Sequence, residues 1–240
     1  MLIKSAAQTD IGLVRSENED RLLCSDELQL YAVADGIGGL PGGAEAAQTA
    51  ITSLLKAARS AAQRGETVDL PPALVATNQA VLELGMRLSP DKGLGTTLCV
   101  ALVRDGRVHI ANVGDSRCYL FRDGRLLLLT VDDTVENEVL QRRAKGETVH
   151  LEERYRNALT RCIGQPMPLE VTVSTQTLHI GDLLLVCSDG IARALDDATI
   201  AARLGAGHEP AMALGALIAD SLVSGGADNA TGILLRVDAL

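Results

Sequence analysis

The sequence predicts an α+β domain in which antiparallel strands and helices form separate layers. Two observations support this fold class. Short β-like runs fall into blocks with helical segments between them, whereas a parallel sheet requires strict alternation of strand and helix. Arg-Asp-Gly occurs at 104–106 and at 122–124 between apolar runs, and Asp-Gly is the strongest local signal for a two-residue hairpin turn.

The strands are predicted from apolar runs bounded by turn residues. In chain order they are LLCSD (22–26), LQLYAVAD (28–35), TTLCVALV (96–103), RVHIANVGD (107–115), RCYLFRDGRLLLLT (117–130), LEVTVSTQTL (169–178), DLLLVCSD (182–189) and ATGILLRV (230–237).

Three helices are predicted, over 43–65, 71–88 and 210–226. In the first, apolar residues recur at the spacing of one helix face; they are Ile51, Leu54, Leu55, Ala58 and Ala62. The second begins with two prolines, which suit the first turn of a helix.

Composition excludes some classes of function. The 240 residues carry 31 acidic and 22 basic side chains, a net charge of -9, which disfavours a nucleic-acid partner. The chain has no Trp, one Phe and three Tyr, so it also lacks surfaces on which unpaired bases stack. Runs such as LLLLTV are far shorter than the roughly 20 residues of a spanning helix, and we expect no membrane association.

The five cysteines are scattered and mostly lie within apolar runs; they are Cys24, Cys99, Cys118, Cys162 and Cys187. No Cys-x-x-Cys pair or Cys/His cluster occurs, so buried reduced thiols are favoured over zinc ligands or disulfides. A reducing compartment, the cytoplasm, is therefore expected.

Several apolar runs end in an aspartate. The pattern occurs in YAVADGIGG (31–39), HIANVGDS (109–116) and LLLVCSDG (183–190), and further acids occur in ENED (17–20) and GGADNATG (225–232). A single Asp-Gly after a strand is most simply a turn. Several such carboxylates brought together would repel one another unless a cation neutralised them, and this repetition favours a cation site.

The glycines after Asp35 do not form a nucleotide-binding loop. Pro41 stands where the dinucleotide fingerprint requires glycine or alanine, and no Gly-Lys-Ser/Thr follows. We therefore expect the glycines to allow close approach to an ion, with the Gly36 carbonyl available as a ligand.

Seven segments together resemble the bacterial type 2C, metal-dependent serine/threonine protein phosphatases. They are TDIGLVRSENED, VADGIGGLPGGAEAA, GTTL, NVGDSR, NALTRCIG, GDLLLVCSDG and GGADNAT, and they span about residues 9 to 237. The resemblance implies a four-layer αββα sandwich, two antiparallel sheets flanked by helix pairs, with a binuclear Mn²⁺ or Mg²⁺ site at one end.

The resemblance also implies the ligands of the ions. Asp35 would bridge them, and Glu19 with the Gly36 carbonyl would complete one ion's protein ligands. Asp189 and Asp228 would complete the ligands of the other ion. Four carboxylates balance two divalent cations, and hard oxygen donors suit Mg²⁺ or Mn²⁺ rather than zinc.

Four further roles follow from the same resemblance. Asp115, together with Asp189, would hold a third metal. Asp20 and Asn229 would orient the ligands from behind. Arg15 would bind the substrate phosphate, since a guanidinium can grip two oxygens at once.

The function implied is hydrolysis of phosphoserine or phosphothreonine by direct attack of a metal-bridging water, with no covalent enzyme intermediate. Two alternatives are a non-catalytic regulatory binding module on the same fold and a phosphatase of small phosphoesters. The expected partners are phosphorylated substrates of a cognate serine/threonine kinase, and we expect a monomer. A link to type VI secretion is a further hypothesis.

Three positions depart from the pattern of relatives. Ile37 and Leu40 stand where some members have histidine, which leaves a metal-bound water as the default acid for the leaving group. Asp133 also replaces a frequent histidine, which would alter flap docking or substrate preference.

We expect one phosphatase catalytic domain over 1–240, with a flap-like segment at about 131–157. The basic residues of this segment would either meet an acidic phosphopeptide or form a solvated helix face, and the second is the simpler interpretation. They are Arg142, Arg143 and Lys145.

Overall fold

Two five-stranded antiparallel sheets lie face to face between two layers of helices. The structure is a computed structural model, and it describes residues 2–37, 42–166 and 168–240. One sheet has the order β1-β10-β9-β6-β7 and the other has the order β2-β3-β4-β5-β8. The predicted α+β class and the αββα sandwich are confirmed.

The strands of the first sheet are β1 (Leu2–Asp10), β6 (Arg117–Arg122), β7 (Arg125–Leu128), β9 (Leu183–Cys187) and β10 (Ala230–Ala239). Those of the second sheet are β2 (Arg21–Ser25), β3 (Leu30–Ala34), β4 (Leu98–Arg104), β5 (Arg107–Val113) and β8 (Val173–Thr177).

The helices in the described part of the chain are α1 (Gly43–Gln63), α2 (Leu70–Leu88), α3 (Val135–Ala144), α4 (Asp189–Ala192), α5 (Asp197–Gly205) and α6 (Pro210–Val223), with a short 3₁₀ turn at Glu153–Tyr155. Apolar side chains of α1 and α2 pack on the second sheet. Those of α4, α5 and α6 pack on the first sheet. None of these helices combines the length and apolar character needed to cross a bilayer.

Strands β3 and β9 are apolar and buried at every position because helices or the other sheet cover both of their faces. In β3, Tyr31 and Val33 point into the layer between the sheets, and Ala32 and Ala34 point towards α1 and α2. In β9, Leu184 and Val186 enter the same central layer, while the alternate residues face the other helices. Successive side chains of a strand point to opposite faces, so a strand covered on both sides reads as a continuous apolar run.

Both predicted hairpins are confirmed. Asp105 and Gly106 have φ of 49° and 71°, and Arg104 pairs with Arg107 across the turn. Asp123 and Gly124 have φ of 51° and 75°, and they divide the predicted run 117–130 into β6 and β7. Two consecutive positive φ values define the type I′ turn that Asp-Gly favours.

Strand β1, the helices α3 and α5 and the four-residue helix α4 were not predicted. Strand β1 is an edge strand that pairs along its length with β10, and it has no continuous apolar face. Helix α3 buries only Val139 and is capped by Thr134, whose side chain accepts from the Asn137 N–H. Helix α5 is capped in the same way by Asp196. The capping residues Thr134 and Asp196 were the features of the sequence from which the starts of α3 and α5 could have been predicted.

The layer between the sheets predicts the effect of one core substitution. Leu184 is fully buried there, so Leu184→Ala is expected to lower the free energy of unfolding by about 2–5 kcal/mol through lost burial and a cavity. The measurement is urea unfolding, with a lower midpoint at an unchanged slope.

The matched control is Leu127→Ala on β7, whose leucine is 48% exposed. We expect this variant to change the free energy of unfolding by less than about 0.5 kcal/mol. Equal losses in the two variants would contradict the assignment of Leu184 to the central layer.

Candidate metal centre

Four carboxylates come together because each lies near the end of a buried strand. Asp35 directly follows β3, and Asp115 lies two residues after β5. Asp189 lies two residues after β9 and begins α4, while Asp228 lies two residues before β10. All four line one pocket of about 420 Å³.

The pocket also contains two arginines and the backbone of Gly36. Of the predicted site residues, the structure places Arg15, Asp35, Gly36, Asp115, Asp189 and Asp228 in its wall. The other predicted residues lie behind this wall and are Glu19, Asp20 and Asn229.

The backbone of Asp35 is fixed by the two threonines of GTTL. The Asp35 N–H donates to the Thr97 hydroxyl at 3.0 Å, and the Thr97 N–H donates to the Asp35 carbonyl at 2.8 Å. The Thr96 hydroxyl donates to the same carbonyl at 2.8 Å. These three bonds hold Asp35 at the pocket although it lies beyond the strand.

The Glu19 side chain lies against two glycines that leave room for it. A Cβ atom at Gly43 would lie 2.6 Å from the Glu19 Oε1 atom. A Cβ atom at Gly36 would lie 2.5 Å from the Gly43 carbonyl and 3.0 Å from the Glu19 Cβ atom. Real Cβ contacts are longer than these. Position 36 therefore requires glycine because of the Gly43 backbone, whereas a side chain at position 43 would displace the carboxylate of Glu19.

Asn229 ties the segment that carries Arg15 and Glu19 to the start of β10. Its Nδ2 atom donates to the carbonyls of Ile11 and Glu17 at 2.8 and 3.0 Å, and its Oδ1 atom accepts from the Glu19 N–H at 2.8 Å. These are the contacts of a positioning residue.

Asp20 is buried behind the pocket with only part of its hydrogen-bonding capacity used. The Ser188 hydroxyl donates to its Oδ2 atom at 2.8 Å, whereas its Oδ1 atom has no partner among the described residues. Burial raises the pKa of Asp20 to about 7, although hydrogen bonds from Thr231 and Ser188 lower it. An unpaired buried carboxylate oxygen of this kind is costly unless a cation lies nearby.

Crowding of like charges is strongest at Asp35. Burial raises the pKa of Asp35 well above its ordinary value, and the charges of Asp20, Asp189, Asp115 and Asp228 raise it further. Burial also raises the pKa of Asp189, and it raises the pKa of Asp115 to about 6. The ionised forms of these carboxyls are therefore disfavoured without a compensating positive charge.

Two arginines supply part of that charge. The Arg15 Nη2 atom lies 2.7 Å from Asp228 Oδ2, and this hydrogen bond raises the pKa of Arg15. The Arg193 guanidinium binds both Asp115 and Asp189. Sequence reasoning missed Arg193, although its position four residues after Asp189 places both on one face of a helical turn.

The donors fit a hard divalent cation by their chemistry. The side chains are carboxylates, and one of the buried oxygens has no hydrogen-bond partner. In the described ranges, however, no three His, Cys, Asp or Glu side chains converge on a single point as the ligands of one ion would. Three of the carboxylates bind arginine instead.

The 131–157 segment lies beside the pocket, and Asn157 lines it. The Asp133 Oδ2 atom accepts from the Gly114 N–H at 3.0 Å, and its Oδ1 atom lies 2.8 Å from Arg161 Nη2. Asp133 therefore connects the turn that carries Asp115 to Arg161, which lies just beyond this segment.

Arg142, Arg143 and Lys145 of the same segment are exposed, and the two arginines have local partners. Arg142 binds Glu147, and Arg143 donates to the Val149 carbonyl. These contacts fit the interpretation of a solvated helix face. None of the four histidines lines the pocket, whereas Ile37 does; Leu40 lies outside the described residues.

An αββα sandwich with an acidic pocket at one end is the arrangement expected from the resemblance of the sequence. The Protein phosphatase 2C family matches residues 15–218, and the chain belongs to that family.

The similarity extends to named relatives and solved structures. The chain is 34% identical over 239 residues to the serine/threonine protein phosphatase PstP of Mycobacterium tuberculosis, covering 99% of this chain and 45% of that protein. The chain thus spans less than half the length of that relative.

Two solved structures resemble the chain over nearly its whole length. The catalytic domain of PstP in complex with two manganese ions has 32% identity and a TM-score of 0.83, covering 99% of both chains. PppA, a key regulatory component of T6SS in Pseudomonas aeruginosa, has 26% identity and a TM-score of 0.83, covering 98% of both chains.

The contacts of Asn229 predict a local loss of order. Asn229→Ala removes three hydrogen bonds that hold residues 11–19, and we expect a loss of about 1–3 kcal/mol of local stability. The measurement is amide hydrogen exchange, which should become faster in residues 11–19 and stay unchanged in β3.

Asn137→Ala is the control, because Asn137, in the first turn of α3, donates to the Asp132 carbonyl and has no hydrogen bond to residues 11–19. Unchanged exchange of residues 11–19 in Asn229→Ala would show that Asn229 does not position this segment.

Proposed function

We propose that this chain is a metal-dependent protein serine/threonine phosphatase that hydrolyses phosphoserine and phosphothreonine. The observation that carries the proposal is the convergence of carboxylates from four distant segments, with Arg15 beside them, around one pocket of about 420 Å³. Membership of the protein phosphatase 2C family and the names of the relatives support the same activity.

Two divalent cations, Mn²⁺ or Mg²⁺, would be held by five groups in this proposal. Glu19 and the Gly36 carbonyl would hold one ion, Asp189 and Asp228 would hold the other, and Asp35 would be a ligand shared by the two. The manganese-bound PstP structure supports the choice of metal. When bound, the ions supply a deprotonated water for attack on phosphorus and neutralise the charge that develops.

The other residues position the substrate and the ligands. Arg15 can present two N–H groups to two oxygens of the phosphoryl group, as its planar fork allows. Asp228 holds this guanidinium at the pocket, since their atoms lie 2.7 Å apart. Thr96 and Thr97 keep the Asp35 backbone in place, and Asn229 keeps Glu19 within reach.

The proposal extends to the setting of the enzyme. Its substrates are phosphorylated proteins of a cognate serine/threonine kinase, and residues 1–240 act as one catalytic domain, a monomer of the cytoplasm, in which 131–157 forms the flap. Similarity to PppA supports testing the substrates of a kinase that controls type VI secretion.

The proposed bridging ligand gives the first test of activity. Asp35→Asn is expected to lower Mn²⁺-dependent phosphate release from a phosphothreonine peptide by about 10³-fold, because ion-held charge stabilisation is worth several kcal/mol. EDTA should abolish release by the unsubstituted protein.

Asp123→Asn is the control, because Asp123 lies in the exposed β6–β7 turn at a positive φ that asparagine also adopts. Normal release by Asp35→Asn would refute the proposal. Faster release from a nucleoside monophosphate than from the peptide would favour the small-phosphoester alternative, and folded protein without release under any metal would favour the binding module.

Arg15 gives a separate test of phosphate binding. Arg15→Ala is expected to lower kcat/KM for the phosphopeptide by roughly 10- to 100-fold, since a charged hydrogen bond contributes about 1.5–3 kcal/mol. Arg15→Lys should recover only part of this loss, because an ammonium group lacks the planar fork.

Arg142→Ala is the matched control, an exposed arginine paired with Glu147 on the flap-like segment. We expect it to leave kcat/KM within about twofold of the unsubstituted enzyme, in keeping with the small contribution of exposed ion pairs. A larger loss in Arg142→Ala than in Arg15→Ala would assign phosphopeptide binding to the 131–157 segment.

A further inference from the structure

Arg193 lies between the two carboxylates that the resemblance assigns to a third metal. Its Nη2 atom binds Asp115 Oδ2, and its Nη1 atom lies 3.3 Å from Asp189 Oδ2. The Asp115 side chain is 7% exposed and that of Asp189 is 18% exposed, so water screens this contact weakly. The guanidinium therefore uses one oxygen of each carboxylate from inside the pocket.

The short helix α4 keeps Arg193 at this position. The helix begins at Asp189, and the Arg193 N–H donates to the Asp189 carbonyl at 2.8 Å. An arginine four residues after an aspartate lies beside it on the helix surface. The side chain thus needs no rearrangement of the backbone to reach both carboxylates.

We propose that the Arg193 guanidinium is the third cation of this site and excludes a metal ion from Asp115 and Asp189. The proposal rests on the two-ion centre proposed above. A metal ion between these carboxylates would have to lie close to the guanidinium that already binds one oxygen of each, and two cations cannot share that space without strong repulsion.

The local charge supports the same conclusion. Arg193 already places one positive charge between Asp115 and Asp189, which leaves one net negative charge on this group of three side chains when both carboxyls are ionised. A divalent cation added there would give the group an excess positive charge.

The consequence is a third cationic position that does not depend on the metal concentration. An arginine stays charged over the whole physiological pH range, and it is covalently tethered to the site. Only the two ions held around Asp35 would then exchange with solution.

Counting bound Mn²⁺ tests this proposal without measuring activity. The free aqueous ion gives an electron paramagnetic resonance signal, so a titration yields the number of ions bound per chain. We expect two ions for the unsubstituted protein and two for Asp115→Asn. Arg193→Ala should bind a third, weaker ion, and so should Arg193→Met, which has a longer but uncharged side chain. Arg193→Ala combined with Asp115→Asn should again bind two ions.

Arg203→Ala is the control, because Arg203 makes a bidentate pair with Asp220 on α6 and does not line the pocket. It should bind two ions. Circular dichroism and urea unfolding identify any variant that is not folded. Asp115→Asn retains Arg193, so its ion count shows whether Asp115 holds an ion while the arginine is present.

Two results would overturn the proposal. One is a third ion in the unsubstituted protein that disappears in Asp115→Asn. The other is a count of two bound ions in both Arg193 variants when both are folded, since Asp115 and Asp189 would then hold no ion even without the guanidinium. Failure of the two-ion centre itself would be distinct, because the unsubstituted protein and Asp35→Asn would then bind Mn²⁺ equally poorly.

Discussion

Mutual repulsion among six carboxyl groups at one end of the sandwich is the constraint on which the rest of the site depends. They are Glu19, Asp20, Asp35, Asp115, Asp189 and Asp228. Burial and like-charge neighbours raise the pKa of Asp35 well above its ordinary value, so ionising it costs free energy in the folded chain. The surrounding structure must therefore hold these groups together against repulsion until cations neutralise them.

The two buried sheets provide the rigidity that this requires. Strands β3 and β9 are covered on both faces, and the carboxylates that follow them have little freedom to move apart. The threonine hydroxyls and backbone bonds at Asp35 extend this order beyond the end of β3, and Asn229 extends it to the segment that carries Glu19. Two glycines let the backbone of the Asp35 turn and of α1 approach Glu19 more closely than any side chain would permit. Packing energy in the core thus offsets electrostatic repulsion at the edge.

The sequence was informative where a local pattern has a single physical explanation. The type I′ turn requires two positive φ values, which Asp-Gly adopts more readily than most pairs, and both hairpins were predicted correctly. Continuous apolar runs identified β3 and β9 because no exposed face interrupts them. Strand β1 was missed because its order comes from pairing with β10, a partner more than 200 residues away. The convergence of the acids was predictable as a hypothesis, since each follows or precedes an apolar run. Arg193 was not recognised because its significance depends on Asp115, which is 78 residues away along the chain.

The arginines also indicate which carboxylates lack a positively charged partner. Arg15 and Arg193 line the pocket and pair with Asp228, Asp115 and Asp189. Among the residues that the structure describes, neither lysine nor arginine forms an ion pair with Glu19, Asp20 or Asp35. A long cationic side chain would have to lose its hydration and fill a space in which Asp35 is already packed, at a cost of several kcal/mol. A small divalent ion brings twice the charge and retains part of its water shell. Metal ions therefore suit Asp35 better than a further arginine would, while Arg15 and Arg193 add positive charge at Asp228, Asp115 and Asp189.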